Sequence, residues 1–230
     1  MISIFLTRNK AYRLIMLIQL MDKIDIIYCI NLHKRADRLA AFLNKFPGSW
    51  ITKLRIVGAI DGAKHDLSNV EKHKLRNADW NIQTKRGVWG CSFSHELVFR
   101  EIIHKNYKKV VILEDDALFS GKFELCEKIV NQLLKDEINL CFLGPDNHPE
   151  NTNSSVHKFT NKGLIFPIDF NLGTMSYFIT LKAAKDICEI IDTKGHYRAI
   201  DYILYDYMKQ RLCSIPVFSI QDNLGSDINC

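Results

Sequence analysis

Three consecutive acidic residues follow the most apolar segment of the chain. The segment VVIL ends at Leu113, and Glu114, Asp115 and Asp116 come directly after it. Adjacent carboxylates repel one another and lose hydration at the end of a buried strand, so such a group usually has a cation. Oxygen ligands suit Mn²⁺ or Mg²⁺, and such an ion stabilises a diphosphate leaving group. The acidic segment is a candidate metal site, and the alternative is a solvated acidic turn.

Side-chain direction within this segment suggests a division of roles. In an extended chain Glu114 and Asp116 point to the same side, so one can reach a metal ion and the other a sugar hydroxyl or a water.

Two arginines follow the first predicted strand, in the segment INLHKRADRL. Arginine suits anionic phosphates and stacks on planar bases, so Arg35 and Arg38 are candidate phosphate or nucleotide contacts. The alternative is that both are charges on the exposed face of a helix.

Two glycine-containing segments could approach a ligand through their backbones. GAIDG, which contains Asp61 and Gly62, closes the second predicted strand, and its glycines allow the backbone to approach a ligand. The alternative is that GAIDG forms a tight turn with no ligand contact. In GVWGCSFSHELVF we expect a helix with Ser92 or Ser94 as its N-cap, so that Ser94 and His95 lie at a helix N-terminus able to bind an anion. The alternative role for His95 is to help cap that helix.

A single carboxylate near the C-terminus is a candidate general base. Asp201 begins an amphipathic helix in AIDYILYDYM, where it either faces the ligand crevice or supplies a favourable negative charge at the helix N-terminus.

The elements that must position these residues are short apolar runs alternating with amphipathic stretches. Alternation of this kind predicts an α/β fold with a mostly parallel sheet covered by helices on both faces, and the ligand crevice of such a sheet lies at the carboxyl ends of its strands. Strands are predicted at 24–32, 54–60, 110–113, 140–144, 176–180 and 216–220, and helices at 35–46, 92–104, 122–135, 182–191 and 199–211.

Composition limits the possible classes of protein. The chain has 230 residues, of which 47% are hydrophobic and 25% charged, which excludes collagen-like, mucin-like and wholly disordered chains. The net charge of +5 suits an anionic ligand and is too small to indicate a nucleic-acid partner. Seven widely spaced cysteines without a C-x-x-C pair predict neither a disulfide framework nor a zinc site, and they favour a reducing, cytoplasmic location.

The first 21 residues form a separate segment. Its apolar stretch, RLIMLIQLM, is too short to span a membrane, although it could bring the protein to a membrane surface. We therefore expect an N-terminal extension at 1–21 and one domain at 22–230.

Taken together, seven segments of the chain resemble glycosyltransferase family 25, which includes bacterial lipooligosaccharide galactosyltransferases and procollagen galactosyltransferase domains. In order they are INLHKRADR, VGAIDG, GVWGCSFSH, VVILEDDA, LGTMSYFIT, Ile200-Asp201 and QDNLGSDI. The family often has Gly-Glu where this chain has Gly87-Val88-Trp89-Gly90.

The resemblance implies a GT-A fold, a UDP-galactose or UDP-glucose donor, and Mn²⁺ (or Mg²⁺) held by a D-x-D-like motif. It implies that Asp116, with Glu114, binds the metal, and that the segment from Asn31 to Arg38 lies near the nucleotide. It places Ser94 and His95 near the donor. The family inverts the anomeric centre, with Asp201 the candidate base for a hydroxyl acceptor on a glycan, a lipooligosaccharide or a hydroxylated protein.

Two other functions fit the same residues. A divalent-metal phosphatase also places acids after a strand of an α/β fold, and Asp115 would then be the nucleophile. A sugar- or nucleotide-binding module without catalysis is the non-enzyme alternative.

Overall fold

The computed structural model describes residues 23–64, 86–119, 123–144, 164–167, 173–208, 212–214 and 218–220. Two predicted features lie outside these residues: the extension at 1–21 and the C-terminal QDNLGSDI segment.

A seven-stranded mixed sheet forms the centre of the described structure. Its strands are β1 (Ile26–Asn31), β2 (Leu54–Gly58), β3 (Lys109–Glu114), β5 (Leu140–Phe142), β6 (Ile165–Pro167), β7 (Ser176–Thr180) and β8 (Leu212–Ser214). Their order across the sheet is β2-β1-β3-β7-β5-β8-β6, and five of these strands run in the same direction while β7 and β6 run in the opposite direction. The predicted α/β architecture with a mostly parallel sheet is confirmed.

A second, two-stranded sheet lies beside the acidic segment. It pairs β4 (Ala117–Phe119) with β9 (Phe218–Ile220) in antiparallel register. The residues after Asp116 therefore form a strand, and the helix predicted at 122–135 is confirmed at Phe123–Lys135.

Helices cover both faces of the large sheet, because its central strands are apolar on both sides. In β3, Val110 and Ile112 belong to one buried cluster, whereas Val111 and Leu113 belong to the other. This alternation is that of a strand buried on both faces. The helices are α1 (Ala36–Lys45), α2 (Arg86–Lys105), α3 (Phe123–Lys135), α4 (Leu181–Lys194) and α5 (Ile200–Tyr207), with a 3₁₀ helix at Gly48–Lys53.

The longest helix corrects one prediction. We expected it to begin near Ser92 or Ser94, but α2 already includes Arg86, so both serines lie inside it. Trp89 and Phe93 are buried in this part of the helix, and their packing outweighs the low helix propensity of the two nearby glycines.

None of the helices within the described ranges is long and apolar enough to cross a membrane.

Candidate functional site

The carboxyl ends of β1 and β3 lie side by side and bring the predicted site residues together. The two strands are parallel neighbours, with Ile30 opposite Glu114. A cleft opens at this edge of the sheet, where the crevice was predicted. It is lined by Ile30, Leu32, Arg38, Ala59, Ile60, Asp61, Gly62, Ala63, Gly87, Cys91, Ser94, His95, Glu114, Asp115 and Asp116.

A buried arginine connects helix α1 to the acidic segment. Nη2 of Arg38 lies 2.7 Å from Oδ1 of Asp115 and 2.5 Å from Oδ2 of Asp116. Asn31, at the end of β1, donates a hydrogen bond of 2.7 Å from its side-chain nitrogen to Oδ2 of Asp115. The side chains of Arg38 and Asp115 are 7% and 6% exposed, so the segment is not a solvated acidic turn.

The acidic segment still carries unbalanced negative charge. With all three carboxylates ionised, the single guanidinium of Arg38 does not balance their negative charge. Burial and the neighbouring Glu114 raise the pKa of Asp116 to about 7 against the opposing effect of Arg38. Oδ1 of Asp116 is buried and has no hydrogen-bond partner among the described residues. An unpartnered buried carboxylate oxygen beside excess negative charge fits a divalent cation.

Glu114 is held in place from two other elements. Nε2 of His95 on α2 lies 3.3 Å from its Oε1, and the hydroxyl of Thr174, just before β7, donates to the same oxygen. Burial raises the pKa of Glu114, but the hydrogen bond and charge of His95, the hydrogen bond from Thr174 and the charge of Arg38 together outweigh that effect, and the pKa lies below its ordinary value. Glu114 is thus an oriented carboxylate at the cleft.

Helix α2 contacts the GAIDG segment through backbone atoms. A Cβ on Gly90 would lie 2.5 Å from the carbonyl oxygen of Ile60 and 2.6 Å from the nitrogen of Gly62. Ser94 reinforces the contact, since its hydroxyl donates to the Gly90 carbonyl at 2.6 Å and accepts from the Ile60 N–H at 2.8 Å. The glycines therefore serve a close approach between two protein segments.

The predicted anion site at a helix N-terminus is wrong for this pair of residues. Ser94 and His95 lie more than two turns inside α2, where the backbone N–H groups are used within the helix. Both side chains nevertheless line the cleft, because one face of the helix runs along it.

Asp201 lies at the start of α5 and is linked to the cleft through a short loop. Its carboxylate accepts hydrogen bonds from the backbone N–H groups of Tyr202 and Gly173. Gly173 has a φ of 112°, a conformation that favours glycine, and the next residue is Thr174, which bonds Glu114. Burial raises the pKa of Asp201 despite these hydrogen bonds. Asp201 is not among the residues that line the cleft.

Two predicted site residues make other contacts. The Arg35 side chain pairs with Asp37 at 3.0 Å and does not line the cleft, whereas its backbone carbonyl accepts from Asn31. Asp61 lines the cleft and pairs with Lys34 at 3.3 Å, while Oδ1 of the same carboxylate closes a turn with the Ala63 N–H.

The structure adds residues that sequence patterns did not single out. Glu96 and His196 form a fully buried pair, with Nε2 of His196 2.7 Å from Oε2 of Glu96. Four residues before Glu96, the hydroxyl of Ser92 accepts from the Ile200 N–H. These contacts fix the segment that leads into Asp201. The i, i+4 spacing of Ser92 and Glu96 was the available signal, since it places two polar residues on one helix face.

Comparisons with known proteins identify sequence relatives of the chain. The family model described as glycosyltransferase family 25 (LPS biosynthesis protein) matches residues 24–204. The chain is 26% identical over 180 residues to procollagen galactosyltransferase 2 of Mus musculus, and the match covers 71% of this chain and 27% of that protein. It is 25% identical over 175 residues to the probable inactive glycosyltransferase 25 family member 3 of Rattus norvegicus, over 71% of this chain and 29% of that protein.

A solved structure with a related outline is a glycosyltransferase involved in glycosylation of the major capsid of PBCV-1. It has a TM-score of 0.42 and 11% sequence identity, over 87% of this chain and 96% of that one.

The chain thus spans less than a third of the length of these curated relatives. The family match runs from the start of β1 into α5 and includes the acidic segment, the glycine contact and Asp201. On that extent of similarity, the chain belongs to glycosyltransferase family 25.

Proposed function

We propose that the protein is an inverting, metal-dependent glycosyltransferase. It moves a galactose or glucose from a UDP-sugar to a hydroxyl of a glycan, a lipooligosaccharide or a protein. The observation that carries the proposal is the acidic segment itself. Excess negative charge and an unpartnered buried oxygen of Asp116 lie at the carboxyl end of β3.

Asp116 and Glu114 are the residues that would hold a Mn²⁺ or Mg²⁺ ion. A divalent ion held there supplies the positive charge that stabilises UDP as it leaves. Arg38 and Asn31 orient Asp115, the carboxylate between these two ligands. His95 and Thr174 orient Glu114 in the same way, through their contacts with its Oε1.

Asp201 is the proposed general base. The acceptor oxygen attacks the anomeric carbon directly, the bond from that carbon to the UDP oxygen breaks, and its electron pair leaves with UDP. The acceptor proton passes to the Asp201 carboxylate. A carboxyl group whose pKa is raised by burial is more basic than an ordinary aspartate, which suits this role.

The first test is calorimetric titration of UDP into the protein, with Mn²⁺ and then with excess EDTA. We expect binding that requires Mn²⁺ and is lost in Asp116→Asn, a change that keeps the side-chain shape. Asp136→Asn, on the exposed surface, is the matched control and should bind as the wild type does. UDP binding that is equal with Mn²⁺ and with EDTA would contradict a metal site at Asp116.

A second measurement separates transfer from binding alone. UDP release from UDP-galactose and UDP-glucose is followed with saccharide, lipooligosaccharide and hydroxylysine-peptide acceptors, alongside hydrolysis of a generic phosphate ester. Acceptor-stimulated UDP release supports a transferase. Phosphate-ester hydrolysis without transfer would support the phosphatase alternative, and UDP binding without either reaction would support a binding module.

A further inference from the structure

Three side chains that bind metals meet beside the acidic segment, and they are of three chemical types. The thiol of Cys91, a ring nitrogen of His95 and a carboxylate oxygen of Glu114 all lie within 4.8 Å of one another. Cys91 and His95 are four residues apart on α2 and therefore share one face of that helix. Glu114 reaches them from the end of β3.

We propose that Cys91, His95 and Glu114 form a binding site for a thiolate-preferring divalent transition-metal ion such as Zn²⁺. A thiolate, an imidazole and a carboxylate are all accepted ligands of Zn²⁺, whereas Mg²⁺ and Mn²⁺ favour oxygen ligands. The site shares Glu114 with the proposed donor-metal site but differs from it in every other ligand. Its existence does not depend on the proposed glycosyl transfer.

The ligand atoms are close to the separations that a shared ion requires. Zinc bonds of about 2.0 to 2.3 Å place neighbouring ligand atoms roughly 3 to 4 Å apart. Nε2 of His95 and Oε1 of Glu114 are 3.3 Å apart, which already meets that condition. Sγ of Cys91 lies within 4.8 Å of both, and rotation about the single side-chain torsion of cysteine can shorten that distance.

Hydrogen bonds from neighbouring polar side chains hold the three ligands in place. Nδ1 of His95 lies 2.6 Å from the hydroxyl of Tyr177, and both side chains are fully buried. A histidine whose Nδ1–H donates to that hydroxyl oxygen directs its Nε2 lone pair toward Cys91 and Glu114, the arrangement that orients metal-binding histidines. Thr174 contacts both of the other ligands, Glu114 and Cys91.

The site is accessible from the cleft. Cys91 is only partly buried and, with His95 and Glu114, it lines the cleft wall. Three protein ligands leave one position of a tetrahedral ion for a water or another small ligand. The thiolate and the carboxylate supply two negative charges, which match a divalent ion.

Cobalt(II) is the probe for this site, because a cobalt–thiolate bond gives a near-ultraviolet charge-transfer absorption that oxygen and nitrogen ligands do not give. The full chain is stripped of metal with EDTA, desalted and titrated with Co²⁺. We expect the absorption to saturate at one ion per chain, to be lost on adding Zn²⁺, and to be absent in Cys91→Ser. Cys188→Ala, which removes a buried sulfur of α4, is the matched control and should keep it.

Two outcomes would overturn the proposal: no thiolate absorption in the wild type, or an absorption that persists in Cys91→Ser.

A measurement on the wild type covers the case in which the variant does not fold. Zn²⁺ should slow alkylation of Cys91 by iodoacetamide at least severalfold, as followed by peptide mass spectrometry, and an unchanged rate contradicts the site. Asp116→Asn should retain the cobalt absorption even if it abolishes UDP binding, so failure of either site is recognised separately.

Discussion

Nη2 of Arg38 lies 2.7 Å from Oδ1 of Asp115, and both side chains are more than nine-tenths buried. The same nitrogen also contacts Asp116, so one guanidinium from α1 lies against two carboxylates from the end of β3. A buried charge is tolerated only when it is paired and hydrogen-bonded, and here Asn31 completes the shell around Asp115. The arrangement makes the stability of the fold depend on the geometry of the candidate metal site.

Replacing Arg38 with methionine should destabilise the protein strongly. Arg38→Met leaves the buried carboxylate of Asp115 and the partly buried carboxylate of Asp116 without their cation. Breaking a buried pair in this way costs about 3–5 kcal/mol of unfolding free energy. The measurement is urea denaturation at neutral pH in the presence of EDTA.

An exposed ion pair is the control for this measurement. Lys182→Met removes a cation that pairs with Asp186 on the surface of α4, where the Lys182 side chain is 68% exposed. We expect a change of about 0.5 kcal/mol or less there. Equal effects of the two substitutions would show that the contacts of Arg38 with Asp115 and Asp116 contribute no more than a surface pair.

Alanine at Gly90 should destabilise the protein even though alanine favours helix. The intrinsic gain is about 1 kcal/mol, but the new Cβ would meet backbone atoms of Ile60 and Gly62, which cannot move away as a flexible side chain can. We expect a net loss of about 1–3 kcal/mol in the free energy of unfolding, measured by urea denaturation.

Gly58 at the end of β2 provides the matched substitution. A Cβ there meets nothing within 4 Å, so Gly58→Ala should leave stability unchanged or raise it by about 0.5–1 kcal/mol. If Gly90→Ala were equally harmless, the close contact between α2 and the GAIDG segment would not be a requirement of the fold.

Strand direction explains why the predicted site residues lie close together. Apolar runs identified β1 and β3, and parallel neighbours end at the same edge of a sheet, so the residues at the ends of both strands lie in one crevice. The position of Asn31 near the nucleotide was implied by the family resemblance. Arg38 then follows from β1 within one turn of α1. These relationships depend on local pattern and on the alternation of strands with helices, both of which a single sequence carries.

Other features depend on contacts between distant residues, which a sequence pattern does not contain. An apolar run does not reveal its direction, so the antiparallel placement of β7 between β3 and β5 was not foreseen. The early start of α2 accompanies the burial of Trp89 and Phe93 and the close contact of Gly90 with the GAIDG segment, and a glycine in a sequence indicates a helix end as readily as a close contact. Glu96 and His196 are 100 residues apart, and only the fold pairs them.

Asparagine at position 201 should separate catalysis from binding and stability. If Asp201 is the general base, Asp201→Asn lowers the rate of UDP release in the presence of acceptor by about 10²- to 10⁴-fold and leaves the Kd for UDP within about twofold. The wild-type rate should fall on acidification as the carboxylate takes up a proton. That fall should lie at a higher pH than for an ordinary aspartate, because burial raises the pKa of Asp201.

The same substitution, which should lower the rate, should raise the stability of the protein at neutral pH. A carboxyl group whose pKa is raised on folding binds its proton more tightly in the folded state than in the unfolded state. Its contribution to the free energy of unfolding therefore falls as the pH rises from the unfolded-state pKa through the folded-state pKa. Asparagine does not titrate, and Asp201→Asn should therefore gain stability relative to the wild type at neutral pH more than at pH 4. Asp206→Asn, on the exposed side of the same helix, should keep the wild-type rate. A wild-type rate retained in Asp201→Asn would exclude this carboxylate as the base.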